Sequence, residues 1–216
     1  YKRQDSPMNR LLQGDVGSGK TAVAAAACYF ACQNGFQSAL MAPTEILAVQ
    51  HYNTLKSFLE PIGVNVVLLT GSMTAKQKRI AKEALKSGEA AVAAGTHAII
   101  QKDVEFQRLG LVITDEQHRF GVAQRAALAD KGNSPHRLVM SATPIPRTLA
   151  LIIYGDLDIS IINQMPKGRL PVKTYAVTGK LRKRAYNFIK SEIDNGRQAY
   201  IVCPMIEDSD SDLQAV

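Results

Sequence analysis

Short apolar runs recur along the first two thirds of the chain, at residues 10–13, 38–42, 64–69, 90–94, 109–114 and 137–141. Runs of this length and uniformity read as parallel strands buried on both faces. Between them lie stretches with helical spacing, at 20–34, 45–59, 74–87 and 120–130. Gly35 and Gly88 follow the first and third of these, where a residue without a Cβ accepts the left-handed turn that ends a helix. Thr74 and Gln77 have the spacing of a capping box, which sets the start of the third helix. Alternating strand and helix predicts right-handed βαβ crossovers and a doubly wound, mostly parallel α/β sheet with helices on both faces.

The pattern changes after Asp158. Two prolines and a glycine fall within Gln164-Met165-Pro166-Lys167-Gly168-Arg169-Leu170-Pro171, which predicts a linker over 163–173 after a first domain at 1–162. Beyond it we expect a strand at 174–177, an amphipathic helix over about 180–195 with Leu181, Ala185, Phe188 and Ile189 on one face, and a strand at 199–203. One such unit cannot bury its own faces, so 174–216 predicts the truncated beginning of a second α/β domain.

A chain of 216 residues can bury one full α/β core. Hydrophobic residues at 46% and charged residues at 21% exclude a disordered chain. No apolar run approaches the roughly 18 residues that span a bilayer. The opening Tyr1-Lys2-Arg3-Gln4-Asp5 also lacks the apolar stretch of a signal peptide. A cytoplasmic protein without a membrane partner is expected. The cysteines Cys28, Cys32 and Cys203 form no CxxC pair, which argues against a disulfide framework or a zinc site. Cys28 and Cys32 share a helix face, as small buried hydrophobes do. A net charge of +7 favours an acidic partner without requiring one. The chain has no initiator methionine and enters its first motif almost at once, so we expect a piece of a longer protein.

That motif is Gly14-Asp15-Val16-Gly17-Ser18-Gly19-Lys20-Thr21, which matches G-x4-G-K-[ST] between an apolar strand and a helix. Glycines there let successive backbone N–H groups turn towards phosphates, and the following helix adds about half a positive charge. Lys20 is placed to reach the β- and γ-phosphates of a triphosphate, and Thr21 to bind Mg²⁺ through its hydroxyl. A bare glycine-rich turn would need neither residue. The run at 109–114 enters Asp115-Glu116-Gln117-His118 directly, and open α/β sheets bind ligands at such carboxyl ends. Asp115 is expected to hold Mg²⁺, through water, and Glu116 to act as general base towards the attacking water. An acidic pair after a strand could also be a plain helix cap, but beside a phosphate loop the catalytic reading is preferred. Ser141-Ala142-Thr143-Pro144 ends another apolar run; its hydroxyls could bond the neighbouring acidic strand end, or simply cap a helix.

In order along the chain, the phosphate loop, residues 42–48 (Ala-Pro-Thr-Glu-Ile-Leu-Ala), 95–98 (Gly-Thr-His-Ala), 115–118 and 141–143 resemble superfamily-2 helicase motifs I, Ia, Ib, II and III. Residues 11–15, 119–122, 143–150 and 155–158 resemble the RecG family of branched-DNA helicases more closely still. Asp-Glu-Gln-His at 115–118 points the same way, since the otherwise similar transcription-repair coupling factor usually reads Asp-Glu-Glu-His. The resemblance covers nearly the whole chain and implies a RecA-like ATP-binding domain followed by the start of a second one. It implies ATP and Mg²⁺ as cofactors and DNA as partner. Under it Thr44, Thr96 and His97 lie near the DNA backbone, while Gln117, His118, Ser141 and Thr143 couple nucleotide state to DNA movement. Motifs V and VI, the upstream adenine-binding segment and the DNA-wedge domain are not in this sequence, so little hydrolysis is expected of the chain alone.

The stretch 74–87 carries Lys76, Lys78, Arg79, Lys82 and Lys86, enough charge for several phosphate contacts. A solvated helix face accounts for the same residues and is the preferred reading. Short polar groups at strand ends suit backbone contacts without sequence information, so binding directed by the structure of branched or duplex DNA is expected, by a monomer. Two other classes remain open: a P-loop phosphotransferase acting on a small molecule, for which no acceptor pocket or lid is legible, and a non-catalytic nucleotide switch.

Overall fold

The computed structural model describes residues 7–116, 127–128, 130–143, 157–164 and 172–202. The chain divides into two compact units, Tyr1–Arg169 and Leu170–Val216.

The first unit is built on a sheet of strands β1 (Asn9–Gly14), β2 (Gln37–Met41), β3 (Val66–Leu69), β4 (Val92–Gly95), β5 (Leu109–Asp115), β6 (His136–Ser141) and β7 (Asp158–Ile162). Their order is β3-β4-β2-β5-β6-β1-β7 and every described pairing is parallel. Helices α1 (Lys20–Gln33), α2 (Glu45–Leu59) and α3 (Ala75–Ser87) connect the early strands. The six expected strands and three of the expected helices are therefore present, each shifted by no more than two residues at an end. The helix expected over 120–130 lies almost wholly outside the described residues.

Side chains that alternate along the strands feed two cores. Leu40, Leu111, Ile113, Leu138 and Met140 meet α1 and α2 on one face; Ala39, Met41, Ala93 and Val112 meet α3 on the other. Burying a leucine or isoleucine fully stabilises by about 1.5–3 kcal/mol, so this double burial dominates the folding of the unit. The residues α1 buries fully are Ala24, Ala25 and Cys28, and their small size lets the helix lie close over the sheet. α3 begins with the expected capping box: the Thr74 hydroxyl accepts from the Gln77 N–H at 3.3 Å, and the Gln77 side chain accepts from the Thr74 N–H at 3.0 Å. Gly88 ends it with φ +82°.

β7 was not expected as a strand. Its run Asp-Ile-Ser-Ile-Ile pairs with β1 at the sheet edge, and Arg10 on β1 donates to Ser160 at 2.7 Å and Asp158 at 3.0 Å.

In the second unit, α4 (Arg182–Asp194) follows a short 3-10 turn at Gly179–Leu181, as the amphipathic spacing predicts. The strands expected at 174–177 and 199–203 are corrected: 172–178 and 197–202 have no ladder partner among the described residues, and Cys203 lies outside them. A strand exists only through its neighbour's hydrogen bonds. Tyr175, Val177, Tyr200 and Val202, with apolar surface suited to a sheet, instead stand 54% to 91% exposed.

Candidate active site

Because every described strand pair is parallel, the carboxyl ends of β1, β5 and β6 share one edge. β6 lies between the other two: Gln13 pairs with Ser141, and Met140 with Asp115. Two strand spacings, about 10 Å, therefore separate the phosphate loop from the acidic strand end. That is a span a phosphate chain with a metal ion can bridge.

The loop after β1 turns through Gly17 (φ +79°) and Gly19 (φ +96°), conformations that favour glycine. Gly14 is favoured for a different reason: a Cβ there would stand 2.6 Å from the Ser18 Oγ and 3.1 Å from the Ile162 Cβ, so both side chains would have to shift. α1 starts at Gly19 with no side chain capping its first N–H groups, which leaves those donors and the helix dipole for an anion. The Ser18 hydroxyl is buried without a hydrogen-bond partner, a second group suited to a phosphate oxygen. Lys20 donates from Nζ to the carbonyls of Gly14 at 2.7 Å and Asp15 at 2.9 Å, so its ammonium lies inside the loop. Val16 is 68% exposed and its N–H bonds the Asp15 carboxylate at 2.7 Å. Thr21 is half-buried in the first turn of α1.

At the end of β5, Asp115 is 8% exposed and its Oδ2 lies 2.7 Å from Nε2 of His51, itself 8% exposed on α2. Glu116 takes φ +48°, a left-handed conformation rare outside glycine and frequent at functional sites. Its N–H donates to the Met140 carbonyl at 3.0 Å and its Oε1 accepts from the Ala142 N–H at 3.2 Å. The Ser141 and Thr143 hydroxyls lie 2.9 Å apart, and Gln13 donates to the Thr143 carbonyl at 3.2 Å. One hydrogen-bonded set thus joins the ends of β1, β5 and β6. Gln117 and His118 lie outside the described residues.

The donor set fits magnesium. A carboxylate and a hydroxyl are hard oxygen ligands, and magnesium completes its shell with phosphates and waters rather than a protein cage. Among the described residues there is no cluster of three or more His, Cys, Asp or Glu that could hold a metal ion.

Thr44 and Thr96 follow the neighbouring strands β2 and β4 at the same edge. Thr44 is exposed and caps α2, accepting from the Leu47 N–H at 3.3 Å. Thr96 is 3% exposed, its hydroxyl buried without a partner, while the next residue, His97, is exposed. Of the two, only His97 is exposed at the surface in this conformation. The basic residues of α3 are largely committed within the chain. Lys82 pairs with Asp103, Lys86 with Glu105 at 2.7 Å, Arg79 with Glu83 at 4.0 Å, and Lys78 donates to the Gly71 carbonyl at 2.6 Å. Hydrogen bonds from Lys82 and Lys86 hold the Asp103 and Glu105 carboxyls below their ordinary range.

Sequence reasoning missed His51. It lies on the stripe Ala48, His51, Leu55 and Leu59 that α2 buries. A lone imidazole on an otherwise apolar face demands a partner, and that was the signal available.

Fold and site together define the class: a RecA-like P-loop domain. The chain belongs to the DEAD/DEAH box helicase family, which residues 3–152 match. It is 56% identical over 203 residues to the ATP-dependent DNA helicase RecG of Bacillus subtilis (strain 168), covering 94% of this chain and 30% of that protein. It is 55% identical over 205 residues to the protein of the same description from Synechocystis sp., covering 95% and 25%. A solved structure of RecG bound to a three-way DNA junction superposes with a TM-score of 0.80 at 48% identity, over 94% of this chain and 27% of that one. The chain thus spans less than a third of the length of these relatives. Among the described residues no helix is long and apolar enough to cross a membrane.

Proposed function

We propose that this chain is the ATP-binding part of a RecG-type helicase that couples ATP hydrolysis to movement on branched duplex DNA. The observation that carries the reading is the 48% identity, across 94% of the chain, to RecG solved on a three-way junction. Its site fits the chemistry. Lys20 leaves the Gly14 and Asp15 carbonyls for the β- and γ-phosphates, and the uncapped N–H groups of α1 and the Ser18 hydroxyl bind the remaining oxygens. Thr21 and Asp115 hold magnesium, which when bound neutralises charge developing on the phosphate oxygens. Glu116 orients the attacking water and takes its proton.

Gln117, His118, Ser141 and Thr143 pass the state of that site to the DNA, with Thr143 bonded to Gln13 of β1 and the intervening Ala142 bonded to Glu116 at the end of β5. Thr44, Thr96 and His97 lie near the DNA backbone, with Thr44 and His97 the exposed members of the set. Residues 1–162 form the first motor domain, 163–173 the linker and 174–216 the start of the second, in a cytoplasmic, monomeric protein. Phosphate release by the intact protein tests the reading, with three-way junction DNA, linear duplex or no DNA added. Strong stimulation by the junction is expected. Turnover indifferent to DNA but stimulated by a small metabolite would replace the helicase with a phosphotransferase.

A further inference from the structure

His51 is the one polar member of the face that α2 buries, between Ala48 and Leu55. An imidazole withdrawn from water costs free energy unless its ring nitrogens find partners. The partner here is not a neighbouring carbonyl but the carboxylate at the end of β5, with Nε2 to Oδ2 at 2.7 Å and both residues 8% exposed. The separation lies in the short range of charge-assisted hydrogen bonds. An aspartate carboxylate otherwise turns almost freely about its last torsion. A donor fixed on a packed helix removes that freedom and leaves Oδ1 as the oxygen available to a metal or to its water shell.

We infer that His51 is a positioning residue for Asp115: its Nε2–H holds the carboxylate in the one orientation that serves magnesium at the phosphate loop. This rests on the nucleotide reading above and extends it to a residue outside the loop and strand-end motifs. Metal ligands are commonly oriented by such an outer partner, and losing it typically costs 10–100-fold in metal affinity. The role needs the proton on Nε2, because a carboxylate only accepts. It also makes the metal site dependent on the seating of α2, the helix that Thr44 caps at the exposed edge.

The test separates positioning from mere packing. ATP binding by the full chain is measured calorimetrically across a magnesium titration and in EDTA, for the protein as it stands and for His51→Phe and His51→Gln. His51→Phe is expected to raise the half-saturating magnesium concentration about 10-fold or more while leaving ATP affinity in EDTA unchanged. His51→Gln, which retains a donor at similar reach, is expected to restore most of the loss. Unaltered magnesium dependence in His51→Phe would overturn the inference. Should that variant not fold, the unsubstituted protein decides: the imidazole N–H resonance of His51 should shift with ADP and magnesium together but not with ADP in EDTA, and a resonance that ignores the metal refutes the role. Absence of ATP binding with or without magnesium would instead remove the nucleotide reading, and this inference with it.

Discussion

Oε1 of Glu116 accepts a hydrogen bond from the Ala142 N–H at 3.2 Å, so a side chain, as well as the backbone ladder, ties the ends of β5 and β6. The same residue, at φ +48°, is the one assigned to the attacking water. Glu116→Gln keeps an acceptor for Ala142 and removes only the basic oxygen. In the intact protein with junction DNA, kcat for ATP should fall at least about 100-fold, the usual range for a lost general base, with the melting temperature nearly unchanged. Turnover equal to that of the unsubstituted protein would exclude Glu116 as the base.

Gly95 ends β4 where the chain passes close to β3, and a Cβ there would stand 2.0 Å from the Leu69 carbonyl oxygen. Neither backbone can yield without breaking the ladder. Gly95→Ala should therefore destabilise by about 2–3 kcal/mol, the upper part of the roughly 1–3 kcal/mol typical of overpacked cores. Gly63, at φ +79° with nothing within 4 Å, is the control: alanine there meets only the left-handed penalty of about 1–2 kcal/mol. Urea unfolding of both variants measures the difference, and equal losses would show that contact is not the cause.

The α3 lysines supply a third expectation. Lys82 and Lys86 already face Asp103 and Glu105, so they contribute little to a DNA contact. Replacing both with alanine should leave the slope of log affinity against log salt unchanged in DNA binding by the intact protein. Two genuine phosphate contacts would lower that slope by about 1.8.

Acid should weaken the same region. The carboxyls of Asp103 and Glu105 are held below ordinary values of 3.8 and 4.5 by hydrogen bonds from Lys82 and Lys86, and Glu45 below 4.5 by Ser72. A depressed folded-state pKa stabilises above the unfolded value and stops doing so as pH falls through the folded one. The contribution of these carboxyls to stability, measured by denaturant, should be constant near neutrality and decline once pH drops below these ordinary values. The Lys82, Lys86 double variant should show a shallower decline, and an identical profile would remove the ion pairs as its cause.

Burial pushes the Cys28 thiol from 9.0 up to about 12. Its reactive thiolate is thus suppressed at any ordinary pH, and the folded state loses stability only as pH rises above 9 towards 12. Iodoacetamide at pH 8.5 should spare Cys28 and modify the half-buried Cys32 first. Mass spectrometry reads the order, and simultaneous labelling would mean that α1 opens freely.

Much of this molecule was legible from hydrophobic period and motif alone. The buried strands and the capping box announce themselves because their causes are local: uniform burial for Val92–Gly95, side-chain chemistry for Thr74 and Gln77. β7 escaped although three of its five residues are isoleucine, because the partner that makes it a strand, β1, lies about 150 residues away in sequence. The 174–177 and 199–203 runs misled for the converse reason, since strand-forming residues make no strand without a neighbour. The same division holds at the site. Lys20 and Glu116 sit in contiguous motifs, whereas His51 and Asp115 are 64 residues apart and meet only once α2 packs on the sheet.

The two hydrogen bonds that Lys20 makes to Gly14 and Asp15 give the phosphate loop an occupant of its own. A nucleotide must displace this internal tether before its terminal phosphates can settle. Release of the tether is a step within the protein, so its frequency does not depend on how much ligand surrounds it. Rapid-mixing records should consequently show an association rate that levels off at high nucleotide concentration, with a ceiling set by how often the lysine lets go.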